Sequence, residues 1–262
     1  MSITLPDTFE YKDRSFGDAQ GIVVSTSAEV FYPTSTTNLL LAGVRKFANQ
    51  ATASALDIGC GCGIVAVVLA KLIFPNAKIH ASDISAEAVK LAKRNAENLQ
   101  LAIDCRCGSL FEPWAGMKFD LIVDDVAGMA EPIARHSQWY PPHIHSDAGE
   151  DGTRWIVSIL AQAREFLTPQ GQIFFPVLTL SKEAAILDTA QKHFSNVEML
   201  AEQWYPLGHD LLPHLALIED LMARGLVEIK KKGSRWLWAT KIYRASNPRA
   251  EPSAGVAHGR SH

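Results

Sequence analysis

The chain of 262 residues has only four cysteines and no long run of like charge. None of its apolar runs approaches the roughly 18 residues of a membrane-spanning helix. Each shortage excludes something. The start, Met1 to Gly21, is polar and acidic and lacks the apolar segment of a secretory signal, so no membrane partner is expected and a cytoplasmic location is. Without a secretory signal, Cys60, Cys62, Cys105 and Cys107 are not read as a disulfide framework. They form two C-x-C pairs, which in number would suffice for zinc. One pair lies inside a glycine turn, however, and the other alternates along an expected strand, so both are read as small buried residues and no metal is expected. Basic patches are also scarce. With a net charge of -3 and a single basic cluster, Lys230-Lys231-Lys232, read as a solvated turn, the chain has little with which to hold nucleic acid.

What is present is an ordinary globular composition, 47% hydrophobic and 20% charged, long enough for one large domain. The chain is organised around Leu56-Asp57-Ile58-Gly59-Cys60-Gly61-Cys62-Gly63-Ile64-Val65-Ala66. A short apolar strand ends at Asp57, three alternating glycines follow, and an apolar helix from Ile64 to Phe74 begins at once. Glycine tolerates positive φ and lets another molecule approach the backbone.

Before this turn, residues 1–50 are read as an N-terminal arm and capping helix. Pro33 holds Tyr32 extended, and Thr34 or Ser35 caps a helix running towards Ala48. From 51 to 245 strands and helices alternate. Strands are expected at Ala55 to Asp57, Lys78 to Asp83, Ala102 to Cys107, Phe119 to Asp124, Gln172 to Val177, Val197 to Trp204 and Arg235 to Tyr243. Helices are expected at Ser85 to Leu99, Thr153 to Leu167 and Ser181 to His193. A helical insertion is expected near 208–232, as core, a lid or a face for a homo-oligomer, and 246–262 reads as a disordered tail. Such alternation implies right-handed crossovers, hence an α/β, Rossmann-like, mostly parallel seven-stranded sheet with helices on both faces.

The window Gly61-x-Gly63-x-x-Ala66 also satisfies a dinucleotide fingerprint. Two features favour S-adenosylmethionine instead. Asp57 stands just before the glycines, where it would repel a pyrophosphate. Further acids, Asp83, Asp124 and Asp125, close neighbouring strands at the same sheet edge, where open α/β sheets bind ligands. Carboxylates at that edge suit a cofactor that is a net cation. Asp83 ends the second strand, where a carboxylate accepts from both ribose hydroxyls, and Gly108-Ser109-Leu110 would face the adenine.

These segments resemble the class I S-adenosylmethionine-dependent methyltransferases. Asp57 to Gly63 is similar to their first motif and Ser82-Asp83-Ile84-Ser85 to their ribose motif. Within the class the chain is most similar to the HemK-like group, which includes the protein glutamine N5-methyltransferases. Val30-Phe31-Tyr32-Pro33-Thr34 resembles that group's substrate-side arm, Gly108-Ser109-Leu110-Phe111 its adenine-side segment, and Gly149-Glu150-Asp151-Gly152 its loop before the next helix. The resemblance implies a cofactor site at Asp57, Gly59, Cys60, Gly61, Gly63, Asp83, Ile84, Ser109, Leu110 and Asp124.

Where that group carries Asn-Pro-Pro-Tyr, this chain reads Asp125-Val126-Ala127-Gly128. The group's tetrapeptide grips a planar amide or exocyclic amine. Its loss leads to the expectation of a small-molecule acceptor, methylated at nitrogen or oxygen. The alternatives are transfer to a protein glutamine or a nucleic-acid base, or a non-catalytic accessory subunit. Asp125 is the candidate for orienting or deprotonating the acceptor, and Tyr32 and His143 are the other candidate catalytic residues. Tyr32, Trp139 and Tyr140 are candidates to replace the missing aromatic. The histidine spacing in Glu131 to His145 fits no familiar metal-ligand pattern.

Overall fold

The computed structural model describes residues 6–12, 21–126, 128–140, 146 and 148–249. Two short strands, β1 (Thr8–Tyr11) and β2 (Ile22–Ser25), pair antiparallel as a separate ribbon. Their apolar residues alternate, with Phe9, Tyr11, Ile22 and Val24 turned into the core. Four-residue runs are too short for a period to stand out in sequence, and this ribbon was not expected. The buried Asn95 side chain fastens it, bonding the backbone N–H and carbonyl of Ser25 and also the Cys62 carbonyl of the glycine turn. Helix α1 (Ser35–Phe47) follows, capped at Thr34 as expected.

The main sheet uses β3 (Ser54–Ile58), β4 (Lys78–Asp83), β5 (Ile103–Cys107), β6 (Phe119–Asp124), β7 (Leu167–Leu178), β8 (Phe194–Pro206), β9 (Lys230–Lys232) and β10 (Arg235–Pro248). Along it the order is β5-β4-β3-β6-β7-β10-β8. β3 to β7 are parallel, and β10 inserts antiparallel between β7 and β8. That path has the seven strands read from the sequence, and three-residue β9 adds an eighth on β10. Chain order reverses beside β3: the chain leaves it towards β4 and returns to its other side as β6. The carboxyl ends of β3, β4 and β6 therefore meet at a switch point.

Between strands lie α2 (Ile64–Val68), α3 (Ala86–Asn98), α4 (Glu131–Ala134), α5 (Arg154–Ala163), α6 (Glu183–His193) and α7 (Leu215–Ala223). Both faces of the sheet are covered. Ala55 and Val123 pack towards α1, α2 and α3 on one side, while Leu56 and Ile122 pack towards α5 and α6 on the other. This two-sided burial explains why the strands read as continuous apolar runs.

Several boundaries differ from the sequence reading for local reasons. The helix begun by α2 loosens into a π-turn over Leu69–Ile73. β7 starts at Leu167 because a register shift against β6 absorbs Pro169 to Gly171. The insertion near 208–232 is broken: a 3-10 turn at Leu212–His214 precedes α7, and Gly225, at φ +68°, ends it. Its apolar stripe is core. Ile218 and Leu221 are buried with Met129, Ile133 and Trp238. β10 continues to Pro248, beyond 245, paired with β8 throughout. No helix among the described residues is long and apolar enough to cross a membrane.

Candidate functional site

The glycine turn owes its shape to its three glycines, at φ +72°, +52° and +83° for Gly59, Gly61 and Gly63. Their roles differ. A Cβ on Gly59 would lie 2.5 Å from Val126 Cγ1, and one on Gly63 would lie 2.9 Å from Ala92 Cβ, so both permit close packing. A Cβ on Gly61 would meet nothing nearer than 3.8 Å. Gly61 thus presents bare backbone to open space, where a ligand can approach it. The turn is pinned to β4 by bonds from Gly59 N–H and Cys60 N–H to the Ser82 carbonyl, 2.8 and 2.9 Å.

That open space is a cavity of about 520 Å³ at the switch point, within the usual range for small-molecule sites. It is bordered by Gly59, Cys60, Gly61, Asp83, Ile84, Ser109, Leu110 and Asp125, so these expected site residues share one wall system. Among its described lining residues are three acids, Glu29, Asp83 and Asp125, and no Lys, Arg or His. Ile84 is 68% exposed, an unusual state for an isoleucine, and it borders the cavity directly after Asp83. Leu110, at φ +48°, turns the chain after β5 so that Ser109 and Leu110 face the same space.

Asp83 accepts 2.9 Å bonds from Gly61 N–H on one oxygen and Ser85 N–H on the other. Burial raises its carboxyl against the opposing effect of these backbone bonds, and Asp83 borders the cavity. Asp57 and Asp124 lie deeper, fully buried and off the cavity wall. Asp57 accepts 3.0 Å from Ala66 N–H and so braces the start of α2, and its other oxygen has no partner. Asp124 accepts 3.0 Å from Val126 N–H and likewise keeps one orphaned oxygen. Burial pushes Asp57 well up, with Asp125, Asp83 and Asp124 adding repulsion; Asp124 rises to about 7 by burial and by Asp125. Gly63 also underlies the turn rather than lining it, through its contact with Ala92.

Asp125 is half-buried on the cavity wall, and its Oδ2 accepts a 2.7 Å bond from the Thr37 hydroxyl. Burial lifts this carboxyl to about 7, and the Thr37 bond opposes the rise. On the same cavity Phe31 and Tyr140 meet with ring centroids 5.3 Å apart, and burial and the Asp125 charge raise the Tyr140 phenol. Trp139, Trp155, Pro176 and Leu178 complete that end of the cavity.

The expected arm aromatic is corrected by one position. Tyr32 does not border the cavity; its hydroxyl donates to the Thr8 carbonyl at 3.2 Å and its ring meets Phe9 edge-on. In an extended arm successive side chains point to opposite sides, so Phe31 faces the cavity and Tyr32 the ribbon. Thr37 and Phe31 are the site residues that the sequence reading missed. Alternation along the arm carried a signal for Phe31; nothing local connected Thr37 with Asp125, 88 positions away. His143 lies outside the described residues. Burial holds the Cys60 thiol high and lifts that of Cys62 to about 12.

Residues 25–126 match the family model of the methyltransferase small domain. The release factor glutamine methyltransferase of Thermosynechococcus vestitus is 34% identical over 167 residues, covering 59% of this chain and 55% of that one. The ribosomal protein uL3 glutamine methyltransferase of Bradyrhizobium diazoefficiens is 37% identical over 125 residues, covering 44% and 38%. The chain thus spans about half the length, or less, of the curated relatives it matches. In fold it is similar to a T. thermophilus 16S rRNA methyltransferase solved with AdoMet and guanosine, at TM-score 0.57 and 15% identity over 93% of this chain and 51% of that one. The turn, the acid-rimmed cavity, the strand order and these likenesses agree: residues 25–126 form a methyltransferase small domain, and the chain is similar to the HemK-like class I S-adenosylmethionine-dependent methyltransferases.

Proposed function

We propose that the protein transfers a methyl group from S-adenosylmethionine to a planar, hydrogen-bearing nitrogen of a polypeptide, with the side-chain amide of glutamine as acceptor. The observation that carries this reading is Asp125, an acceptor-only carboxylate when ionised, held by Thr37 on the cavity wall that Phe31 and Tyr140 also line. The relatives' names support a glutamine acceptor over the small metabolite expected from the sequence.

The cavity fits the cofactor. Its acids have no cation beside them among the described lining residues, and the bare backbone of Gly61 leaves room for close approach. Asp83 would hold the ribose hydroxyls, and Ile84 and Leu110 would cover the adenine. When bound, the cofactor supplies an electrophilic methyl carbon on a sulfonium. The protein's share is alignment and exclusion of water. Phe31 and Tyr140 would offer one aromatic surface to a planar group, and Asp125 would accept its N–H, turning the nitrogen lone pair towards the methyl donor. The acceptor proton leaves to solvent once the C–N bond has formed, and what Asp125 supplies beforehand is the direction of the nitrogen lone pair.

The test is incubation with isotopically labelled S-adenosylmethionine and cell extract, followed by mass spectrometry of protein digests and small molecules. Label on glutamine nitrogen, lost in Asp125→Ala with cofactor binding retained, is the expected outcome. Label confined to small molecules would overturn the polypeptide acceptor. Cofactor binding with no labelled product would overturn the enzymatic reading.

A further inference from the structure

A second cavity, of about 400 Å³, opens beside the first and shares Trp139 with it. Its walls include Trp139, Tyr205, Trp238, Leu207, His209 and Asp210. Tyr205 stacks on Trp238 with centroids 5.1 Å apart, and Trp139 meets Trp238 edge-on at 4.8 Å. Three aromatic rings and a carboxylate therefore converge on one space. The Asp210 carboxylate is positioned by a 2.7 Å bond from Gln138 N–H and has no ion-pair partner among the described residues. Aromatic faces attract cations through their quadrupoles, more strongly where water is thinned.

The same end of the molecule already uses this chemistry internally. Lys230 Nζ stands 4.1 Å over the Trp204 ring, and Lys231 Nζ 5.3 Å over Trp236. Among the described residues the other stacked cations lie on Phe47 and Trp114, and none on Trp139, Tyr205 or Trp238, of which Trp238 is the buried base of the cluster and Trp139 and Tyr205 are partly exposed. The cavity's described walls carry neither Lys nor Arg.

We infer that the Trp139, Tyr205, Trp238 and Asp210 cavity is an acceptor subsite that takes a cationic side chain, arginine or lysine, flanking the methylated residue. It rests on the polypeptide reading above. Position supports it. Asp125 and Tyr140 line the first cavity together, Tyr140 follows Trp139 in the chain, and Trp139 lines both cavities. An extended segment with its acceptor nitrogen at Asp125 reaches this space with a neighbouring side chain. The planar guanidinium of arginine suits it best, since it stacks on rings and binds a carboxylate in a fork.

The experiment measures binding of short glutamine peptides that differ only at flanking positions: arginine, its uncharged isostere citrulline, or glutamate. Arginine peptides are expected to bind about tenfold more tightly than citrulline twins, with glutamate weakest. Asp210→Asn, which can keep the Gln138 bond, and Tyr205→Leu, which keeps apolar bulk, should each erase the preference while S-adenosylhomocysteine still binds. Equal affinity for arginine and citrulline, or a preference unchanged in both variants, would overturn the subsite. Butylguanidinium alone should shift the Trp139 and Trp238 indole N–H resonances. If it does so while no glutamine is ever methylated, the subsite stands and the acceptor assignment fails. If glutamine is methylated with no effect of flanking charge and no indole shift, the subsite fails and the acceptor assignment stands.

Discussion

The Thr37 hydroxyl accepts a 3.3 Å bond from Thr34 N–H and donates a 2.7 Å bond to Asp125 Oδ2. A hydroxyl has one proton. With the helix cap on its acceptor side, that proton is directed at Asp125, so Oδ2 stays an acceptor and any proton on this carboxyl belongs on Oδ1. Thr37 therefore completes the capping box that Thr34 opens at the start of α1 and sets the orientation of the acid that follows β6.

Replacing Thr37 by valine removes that bond at nearly constant volume. Asp125 then loses the one interaction that opposes its upward shift. Its pKa should rise, and the acidic limb of the rate profile should move to higher pH. Methyl transfer at neutral pH should fall about tenfold, the loss of one oriented hydrogen bond to a charged group. A pH–rate profile beside a melting curve checks this. A profile that falls uniformly, with its acidic limb in place, would mean that Thr37 supports only the helix.

The buried acids make stability depend on pH in a set direction. Asp57, Asp124 and Asp125 are all raised, Asp124 and Asp125 to about 7, whereas an unfolded aspartate titrates near 3.9. A carboxyl raised on folding stabilises the fold fully below its unfolded pKa and loses that contribution as pH rises through its folded pKa. The cofactor-free protein should lose on the order of a few kcal/mol between about pH 4 and pH 7. The cationic cofactor reverses the trend. Its advantage over S-adenosylhomocysteine, which lacks the sulfonium charge, should widen as pH rises from 6 to 8. Calorimetric titration of both ligands tests this, and a constant ratio of affinities would remove the acids from sulfonium binding.

The three glycines should separate by substitution. Gly63→Ala sets a Cβ against Ala92 at 2.9 to 3.0 Å and forces alanine to φ +83°, so it should unfold or severely destabilise the protein. Gly61→Ala meets no atom within 3.8 Å. It should cost only about 1–2 kcal/mol for the left-handed backbone, yet weaken cofactor binding at least tenfold because its methyl enters the cavity. Melting temperature and cofactor affinity should therefore diverge for Gly61 and fall together for Gly63. Parallel losses at both positions would deny Gly61 its place against the ligand.

Ile84, 68% exposed on the cavity rim, gives a complementary test. Ile84→Ser removes little buried area, so the melting temperature of the cofactor-free protein should hold within about 1 kcal/mol of stability. Cofactor affinity should drop about tenfold through loss of an apolar cover, at roughly 25 cal/mol per Å². Unchanged affinity would place the adenine elsewhere.

These contrasts also mark what the sequence disclosed. The parallel strands were visible because both faces are buried, and one wall of the cavity because its residues lie in short strand-to-turn segments: Gly59 to Gly61, Asp83-Ile84, Ser109-Leu110. Burial depth was hidden. Asp57 and Asp124 read as ligand contacts, yet both are fully buried off the cavity wall, where Asp57 braces the start of α2 and Asp124 accepts from the Val126 N–H. The acceptor end is assembled from α1, β6, β7 and the segment at Trp139-Tyr140, distant in the chain, and no local period connects them. The choice between Phe31 and Tyr32 was decided by one step of strand alternation, and the β1–β2 ribbon by four-residue strands.

The decisive substitution is Asp125→Asn, which restores at this position the residue of the HemK-like signature. An asparagine oxygen still accepts an N–H and does not titrate. If Asp125 acts by orienting the acceptor nitrogen, Asp125→Asn should keep measurable transfer, within about a hundredfold of the parent, and lose the rise in rate through about pH 7 that ionisation of Asp125 predicts. Asp125→Ala should lose transfer altogether, because neither hydrogen-bond acceptor nor base remains. If the carboxylate must also take the proton before the methyl arrives, Asp125→Asn will be as inactive as Asp125→Ala while binding cofactor normally. The amide acceptor argues for the first outcome. Its nitrogen becomes far more acidic as the new C–N bond forms, so the proton can leave afterwards to solvent, and what the site must supply beforehand is direction.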